Sequence, residues 1–461
     1  MRRPQKRSRP QQRSMTVGQG VRWAVALTAL TALGCGKVAS SNAGAGGANG
    51  AGGAGGDSTV DGGAGAVGSD IVYYRDVQPI VQKRCQPCHT DNGIAPFPLL
   101  TYDQAKMNAP VMAAITAARQ MPPWLPAPGC GDFRDSRRLT DREIATLGAW
   151  NKAGAPAGDP ADAPPPAGMS GPNLGTPGAT LDPAIDYHPN ATLTDDYHCF
   201  LIDPALTAQK DLIGFDIHPQ ARASVHHVLL YAVPAANVAE AKQKDDGEAG
   251  VGWTCFGGTD VTGSQTIAGW VPGAGATAFP SPTGIRLAPG TQIVMQIHYN
   301  LLAKKDVTDR TTADLFFSPT PVAKPAAIFA VANLTFRIPA GTKEQTVVGQ
   351  LPIKNSAALW GVVPHMHLHG TKIKVEVVHA SGATDCAIDI PAWDFHWQQF
   401  YYYQQPTLVV AGDTVRISCT YDNSPENQPL VDGARLPPAE LRWGEKTTDE
   451  MCLNYLYAAI P

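Results

Sequence analysis

From about Leu181 onward the chain consists of short alternating apolar runs, broken at close intervals by Gly and Pro. This texture constrains the fold more than any other feature. Alternation with a period of two suits strands with one buried face, and runs this short leave no room for long helices. Helical periodicity is weak across the region, which predicts an all-β fold, a sandwich or a jelly roll. The upstream part differs. Val77, Ile80 and Val81 have helical spacing, and Ile144, Leu147 and Trp150 recur at threes behind Thr140-Asp141-Arg142-Glu143, a capping box. A small helical unit is therefore predicted before the β region.

At 461 residues, with 43% hydrophobic and 16% charged residues, the chain can form two to four domains with real cores. Residues 1–34 hold seven Lys/Arg and no acidic residue; the remainder has 29 basic against 40 acidic residues, a net charge of −11. So acidic a protein is poorly suited to nucleic acid. The basic segment Arg2–Arg22 runs into Trp23–Leu33, a largely apolar stretch of eleven residues, too short to span a bilayer, whose last two residues begin Ala-Leu-Gly-Cys. Residues 1–34 are read as an export signal and Cys35 as a lipidated cysteine, with ordinary cleavage and an unmodified Cys35 as the alternative. Residues 35–70, almost all Gly and Ala with small polar residues, form a tether that cannot bury enough surface to fold. The expected location is the periplasmic face of a bacterial membrane, the outer membrane for a lipoprotein, with membrane contact through the lipid anchor only.

Cys85-Gln86-Pro87-Cys88-His89 is C-x-x-C-H, the attachment motif of a covalent haem c. Two thiols three residues apart can bond the two vinyl groups of one haem, and the next residue offers an imidazole to the iron. A zinc knuckle would need a second ligand pair nearby, and none follows. Residues 71–154 resemble a small cytochrome c. Met121, in Met121-Pro122-Pro123-Trp124, is the leading candidate for the sixth iron ligand, with Met107 and Met112 as competitors. Residues 155–180, rich in Pro, Gly and Ala, are read as a linker.

Histidine is scarce, 12 in 461, yet Gly361–Gly370 (GVVPHMHLHG) holds three. In an extended strand His365 and His367 share a face, and His369 would follow on the same face. His226 and His227 lie in Ser224–Tyr231, and His298 lies on the more polar face of Gln292–Asn300. Neighbours on a regular strand point to opposite faces, so one ion can take both His226 and His227 only at a bulge or a strand end. The other reading makes one a core and one a surface histidine. Met451 precedes Cys452 at the start of a strand-like run. A thioether is a poor ligand for zinc and a good one for Cu(I); the alternative is an ordinary core methionine.

In order, His-His in a strand, His-Tyr-Asn, Pro-His-Met-His-x-x-Gly and Asp-Glu-Met-Cys resemble the copper type II ascorbate-dependent monooxygenases, the group of peptidylglycine alpha-hydroxylating and dopamine beta-monooxygenase. The resemblance covers about residues 181–461. It implies two tandem jelly-roll β-sandwiches, placed here at 181–325 and 326–461, each with one copper across a solvent-filled cleft. It assigns His226, His227 and His298 to an electron-transfer copper. His365, His367 and Met451 go to the copper that meets dioxygen, with Tyr455 facing substrate. It also pairs Cys199 with Cys255 and Cys419 with Cys452, leaving Cys130 and Cys386 unassigned. Val363 stands where the peptide-amidating branch has a carboxylate-gripping Arg, so a glycine-extended peptide is not the expected substrate. The aromatic run Trp393–Tyr403 fits a core or the lining of an apolar substrate site.

The expected activity is hydroxylation of a C–H bond in a small organic molecule by O2. Two copper ions take part, with electrons from ascorbate or a redox protein and a fused haem c feeding the first copper across a tether. One rival is a non-catalytic copper-binding or electron-transfer lipoprotein, which would keep the ligands without a substrate site. The other is a haem-only carrier with β binding modules.

Overall fold

The computed structural model describes residues 70–459 apart from 92–94, 166–171, 273, 302–305 and 432–433. The export signal and nearly all of the tether lie outside the described residues. Among them, no helix is long and apolar enough to cross a membrane.

The upstream module holds three helices: α1 (Gln78–Arg84), α2 (Tyr102–Ala117) and α3 (Asp141–Lys152). The Thr140–Glu143 capping box forms as predicted, and a second one, Thr101–Gln104, opens α2. Each satisfies main-chain N–H groups that a helix start leaves unpaired. Tyr73, Val77, Val81, Leu147 and Trp150 make the core, and the Trp150 indole donates to the Pro156 carbonyl at 3.0 Å.

The rest is mainly β. Strands β1 (Asp195–Ile202), β2 (Val225–Val233) and β3 (Gln292–Asn300) pair in the order β1-β3-β2, inside a five-stranded sheet. A nine-stranded sheet follows, its far half built from β4 (Lys324–Asn333), β5 (Ala357–His365), β6 (Tyr401–Val409) and β7 (Cys452–Ala459) in the order β4-β7-β5-β6. Its near half comes from the first part of the β region, joined where Thr283–Leu287 pairs in parallel with β4. The sheet therefore runs through the predicted boundary at 325/326, which falls inside β4. A four-stranded sheet completes the set, in the order Gln345–Pro352, Thr414–Tyr421, Gly370–Val378, Thr384–Ile390.

At β5 and β7 the nine-stranded sheet is covered on both faces, and β7 shows why its sequence is almost continuously apolar. Tyr457 and Ala459 enter the core shared with the five-stranded sheet, while Leu456 and Ala458 enter the core shared with the four-stranded sheet. A strand buried on both sides loses the polar half of its alternation. In β5 a register shift between Leu359 and Gly361 preserves the division, with Trp360 in the first core and Val362 in the second. Each fully buried aliphatic or aromatic side chain contributes roughly 1.5–3 kcal/mol.

Three disulfides staple this frame. Cys199–Cys255 and Cys419–Cys452 are the pairs that the resemblance implied. The third, Cys130–Cys386, ties the upstream module to the second half across 256 residues. Around it the segment 124–134 lies on the second half. Ala127 N–H donates to the Asp389 carbonyl at 2.7 Å, and Gln404 N–H to the Asp132 carbonyl at 2.8 Å. Phe133 stacks on Tyr403 at 5.2 Å, and Trp124 meets Tyr401 edge-on at 5.4 Å. The linker expected between the upstream module and the β region is thus accompanied by a fixed, covalently locked contact.

Candidate metal centre

The first histidine cluster forms where β2 and β3 pair. His227 lies opposite His298, and the register shifts between Val225 and His227. That irregularity at His226 supplies the bulge that two neighbouring histidines need in order to face one point. The ligand atoms of His226, His227 and His298 lie within 4.8 Å of one another, and the Nδ1 atoms of His226 and His227 are 3.3 Å apart. His298 is 2% exposed. Its Nε2–H donates to Asp195 Oδ1 at 2.9 Å, which fixes the tautomer, and its buried Nδ1 has no partner. A bare imidazole nitrogen beside two others, with the opposite N–H tied to a carboxylate, is the donor set of a metal-binding histidine. Asp195 is itself held by Thr194 and Thr447 hydroxyls, and Tyr197 stacks on the His298 ring at 4.0 Å.

His365 and His367 form the second cluster, their ring centroids 5.0 Å apart. The structure corrects the strand reading here: β5 ends at His365, and Met366–His369 turn away. The rings converge across a strand end instead of along one strand face. His365 Nδ1 bonds Gln398 Oε1, and His367 Nδ1 donates to the Asp449 carbonyl at 3.1 Å, leaving Nε2 of each ring for a ligand. His369 leaves the pattern altogether, its ring nitrogens taken by Glu450 and Gln428 at 3.3 Å each.

Glu450, 0% exposed, organises this corner. Its Oε2 accepts from the main-chain N–H of His367 at 2.9 Å and of Met451 at 3.3 Å; its Oε1 accepts from the His369 N–H at 2.6 Å. One carboxylate thus pins the histidine turn to the methionine segment. Met451 is 6% exposed, directly before β7, and its carbonyl accepts from the Tyr421 hydroxyl at 2.7 Å. The Cys419–Cys452 bond fixes the next residue.

The two clusters are close. The ring of Phe395, 6% exposed, stacks on His226 at 4.5 Å and 16° and meets His367 edge-on at 6.0 Å. Where the resemblance implied a solvent-filled cleft, an aromatic side chain stands between the rings. Burial, followed by the neighbouring imidazoles, drives His226 and His227 far below the ordinary histidine range. Burial lowers His298 despite Asp195 and pushes His365 down to about 4. All are neutral bases at neutral pH, the state that binds metal. Val363 and Tyr455 sit opposite each other on β5 and β7, so the two positions expected to shape the substrate site are neighbours.

In the upstream module Cys85 and Cys88 are unpaired thiols, half-buried behind α1. Burial pushes the Cys85 thiol up to about 12. His89 Nδ1 donates to the Phe97 carbonyl at 2.9 Å, which leaves Nε2 as the free donor. Met107 is 82% exposed on α2, and Met112 is buried in the module core. Met121 is half-buried and lines a small cavity with Thr116, Trp124 and Leu139.

Asp195, Gln398, Phe395 and Glu450 were not identified from the sequence. Glu450 gave a signal, an acid directly beside a predicted ligand, and Phe395 and Gln398 lie inside the aromatic run Trp393–Tyr403, whose density marked the segment but not these two residues.

Comparison with known proteins bears on the same region. Residues 327–459 match the model of the copper type II ascorbate-dependent monooxygenase C-terminal domain. DBH-like monooxygenase protein 1 of Gallus gallus is 22% identical over 255 residues, covering 50% of this chain and 38% of that protein. Tyramine beta-hydroxylase of Caenorhabditis briggsae is 23% identical over 211 residues, covering 42% and 34%. The chain thus spans less than two fifths of the length of these relatives. Among solved structures, the major capsid protein P2 of bacteriophage PM2 aligns over 61% of this chain and 97% of its own with a TM-score of 0.23 and 8% identity.

Proposed function

We propose that this chain, whose residues 327–459 match the copper type II ascorbate-dependent monooxygenase C-terminal domain, is a dicopper enzyme that hydroxylates a C–H bond of a small organic substrate with O2. The observation that carries the proposal is the buried, unpartnered Nδ1 of His298 beside His226 and His227, facing a second histidine pair across a single aromatic ring. His226, His227 and His298 would hold one copper, and His365, His367 and Met451 the other. Nitrogen donors with one thioether suit copper that cycles between two oxidation states, and copper held there supplies the one-electron chemistry that activates O2. One oxygen atom enters the C–H bond and the other leaves as water, with two electrons and two protons from ascorbate or a redox protein.

The chain's own groups set the conditions. Asp195, Gln398 and the Asp449 carbonyl hold three imidazoles in fixed tautomers, so each metal-facing nitrogen is bare before a metal arrives. Glu450 holds the histidine turn against Met451. Tyr455 and Val363 present an aromatic and an aliphatic side chain at the strand pair beside the second cluster, which suits an apolar substrate and gives a carboxylate no cation.

The reading extends to a covalent haem c on Cys85, Cys88 and His89, with Met121 as its second axial ligand and electrons passing to the first copper. The free thiols, the His89 tautomer and the locked docking of the module support it. Residues 1–70 would export and anchor the protein at the periplasmic face of the membrane.

The test is metal content of the mature protein after copper loading and dialysis, followed by incorporation of labelled oxygen from O2 into a panel of small apolar substrates with ascorbate. Two coppers and one iron per chain are expected, with His227→Ala and Met451→Ala each losing a different copper and labelled product in the intact protein. Copper indifferent to both substitutions would refute the proposed sites. Full loading without labelled product across the panel would favour the non-catalytic copper protein.

A further inference from the structure

The loop before β6 touches both clusters at once. Phe395 stacks on His226 and abuts His367. Three residues on, Gln398 bonds the His365 ring through Oε1 and donates through Nε2 to the Phe395 carbonyl at 2.9 Å. Two residues before Phe395, the Trp393 indole donates to the His367 carbonyl at 3.3 Å. Phe395 and Gln398 are each 6% exposed, so both side chains pack against the clusters they touch. One short segment therefore sets a ring in the first cluster and both rings in the second.

We propose that this loop couples the two clusters, with Phe395 as the positioning residue, so that metal bound at one raises the affinity of the other. The inference rests on the dicopper reading. Its physical basis is ordering. A metal that fixes His226 fixes the face on which Phe395 lies. Phe395 then holds the loop that orients Gln398 and Trp393, and through them His365 and His367. The second metal meets rings whose motion is already lost and gives up less entropy on binding. Coupling of this kind is reciprocal, so each cluster must change the other by the same factor. An aromatic contact of this type transmits an effect of about two- to tenfold.

The experiment is anaerobic titration of the whole chain with Cu(I) against a competing chelator. The wild type is compared with His227→Ala, which disables the first cluster while leaving the His226–Phe395 stack, and with His367→Ala, which disables the second. We expect each substitution to weaken the remaining site roughly two- to tenfold, by equal factors. In a Phe395→Ala background both effects should vanish, while Phe395→Tyr should restore them. Phe395→Leu keeps apolar volume without a flat ring and should also uncouple the sites, which covers the case in which the alanine variant folds poorly. Remaining-site affinities unaffected by His227→Ala and His367→Ala would overturn the proposal. So would coupling that persists undiminished in both the Ala and Leu backgrounds. Failure of the wild type to bind copper at either cluster would instead overturn the dicopper reading beneath it.

Discussion

Replacing Glu450 by glutamine changes one oxygen for one NH2 group, and its cost can be worked through from the hydrogen bonds. In the native protein the buried carboxylate accepts from three main-chain N–H groups, those of His367, His369 and Met451. An amide has a single acceptor oxygen. Its better orientation keeps the oxygen on His367 and Met451 and turns the NH2 toward His369, whose ring can accept it at Nδ1. The His369 N–H then loses its acceptor inside the protein, a cost of about 1–3 kcal/mol, and the two retained bonds lose the strength that a charged acceptor gave them. The sum is roughly 2–4 kcal/mol, a large share of the ~5–15 kcal/mol that holds a folded domain. Under the proposed function the second copper site should suffer most, because the carboxylate joins the His367 turn to the Met451 segment. Urea denaturation of the metal-free protein should show a lower midpoint for Glu450→Gln. Cu(I) competition should show a loss at the second cluster larger than at the first. A midpoint within ~0.5 kcal/mol of wild type, together with unchanged affinity at both clusters, would refute the assignment of Glu450 as the clamp.

Asp195→Asn should weaken Cu(I) at the His226/His227/His298 cluster by about 10- to 100-fold, because it weakens the acceptor that fixes the His298 tautomer; a loss under threefold in chelator competition would remove Asp195 from that role. Glu445 is pushed up to about 7 by burial and then by Asp449. From the ordinary carboxylate value to about 7, only the folded state keeps this proton, so rising pH favours unfolding across that window. Denaturation midpoints of the metal-free wild type should therefore fall relative to Glu445→Gln between about pH 4.5 and 7, and a constant difference between the two would contradict the assignment. Cys130→Ser with Cys386→Ser opens a loop of 256 residues, whose closure is worth up to about 5 kcal/mol by chain entropy. The packing of Trp124 and Phe133 remains, so the module should stay docked but be cleaved faster between residues 121 and 134 under limited proteolysis; an unchanged cleavage rate would show that the disulfide adds nothing to the contact.

What the sequence made legible follows from what local patterns encode. Capping boxes and alternation are local, and the Thr140 helix start and the mainly β region formed as read. The geometric objection to His226 and His227 was also local, and it named its own resolution, the bulge that the register shift supplies. The His365/His367 pair failed as a strand-face argument because Glu450, 81 residues or more away, takes the N–H groups of His367 and His369 and ends the strand. Asp195 meets His298 across 103 residues, and Phe395 reaches His226 from across the molecule. Contacts of that range leave no periodicity to read. The shared sheet was hidden for a related reason: β7 is apolar on both faces, so its sequence does not say that each face serves a different core.

The upstream module precedes the first half of the β region in sequence yet docks on the second half, because its anchors, Cys386, Tyr401 and Tyr403, lie there. Tyr401 and Tyr403 belong to the aromatic run whose earlier residues, Phe395 and Gln398, hold the clusters. The density of rings in Trp393–Tyr403 therefore serves two contacts at once, the module on one side and the histidines on the other. A module on a free tether would exchange electrons only after an encounter, at a rate set by effective concentration. One fixed by a disulfide and main-chain hydrogen bonds has no encounter to wait for. Under the proposed function the module needs no encounter before passing electrons to the β region, so removing the Cys130–Cys386 bond should slow reoxidation of its haem by the copper-loaded protein more than Phe395→Ala does, because the module's contacts lie at Cys386, Tyr401 and Tyr403 and not at Phe395.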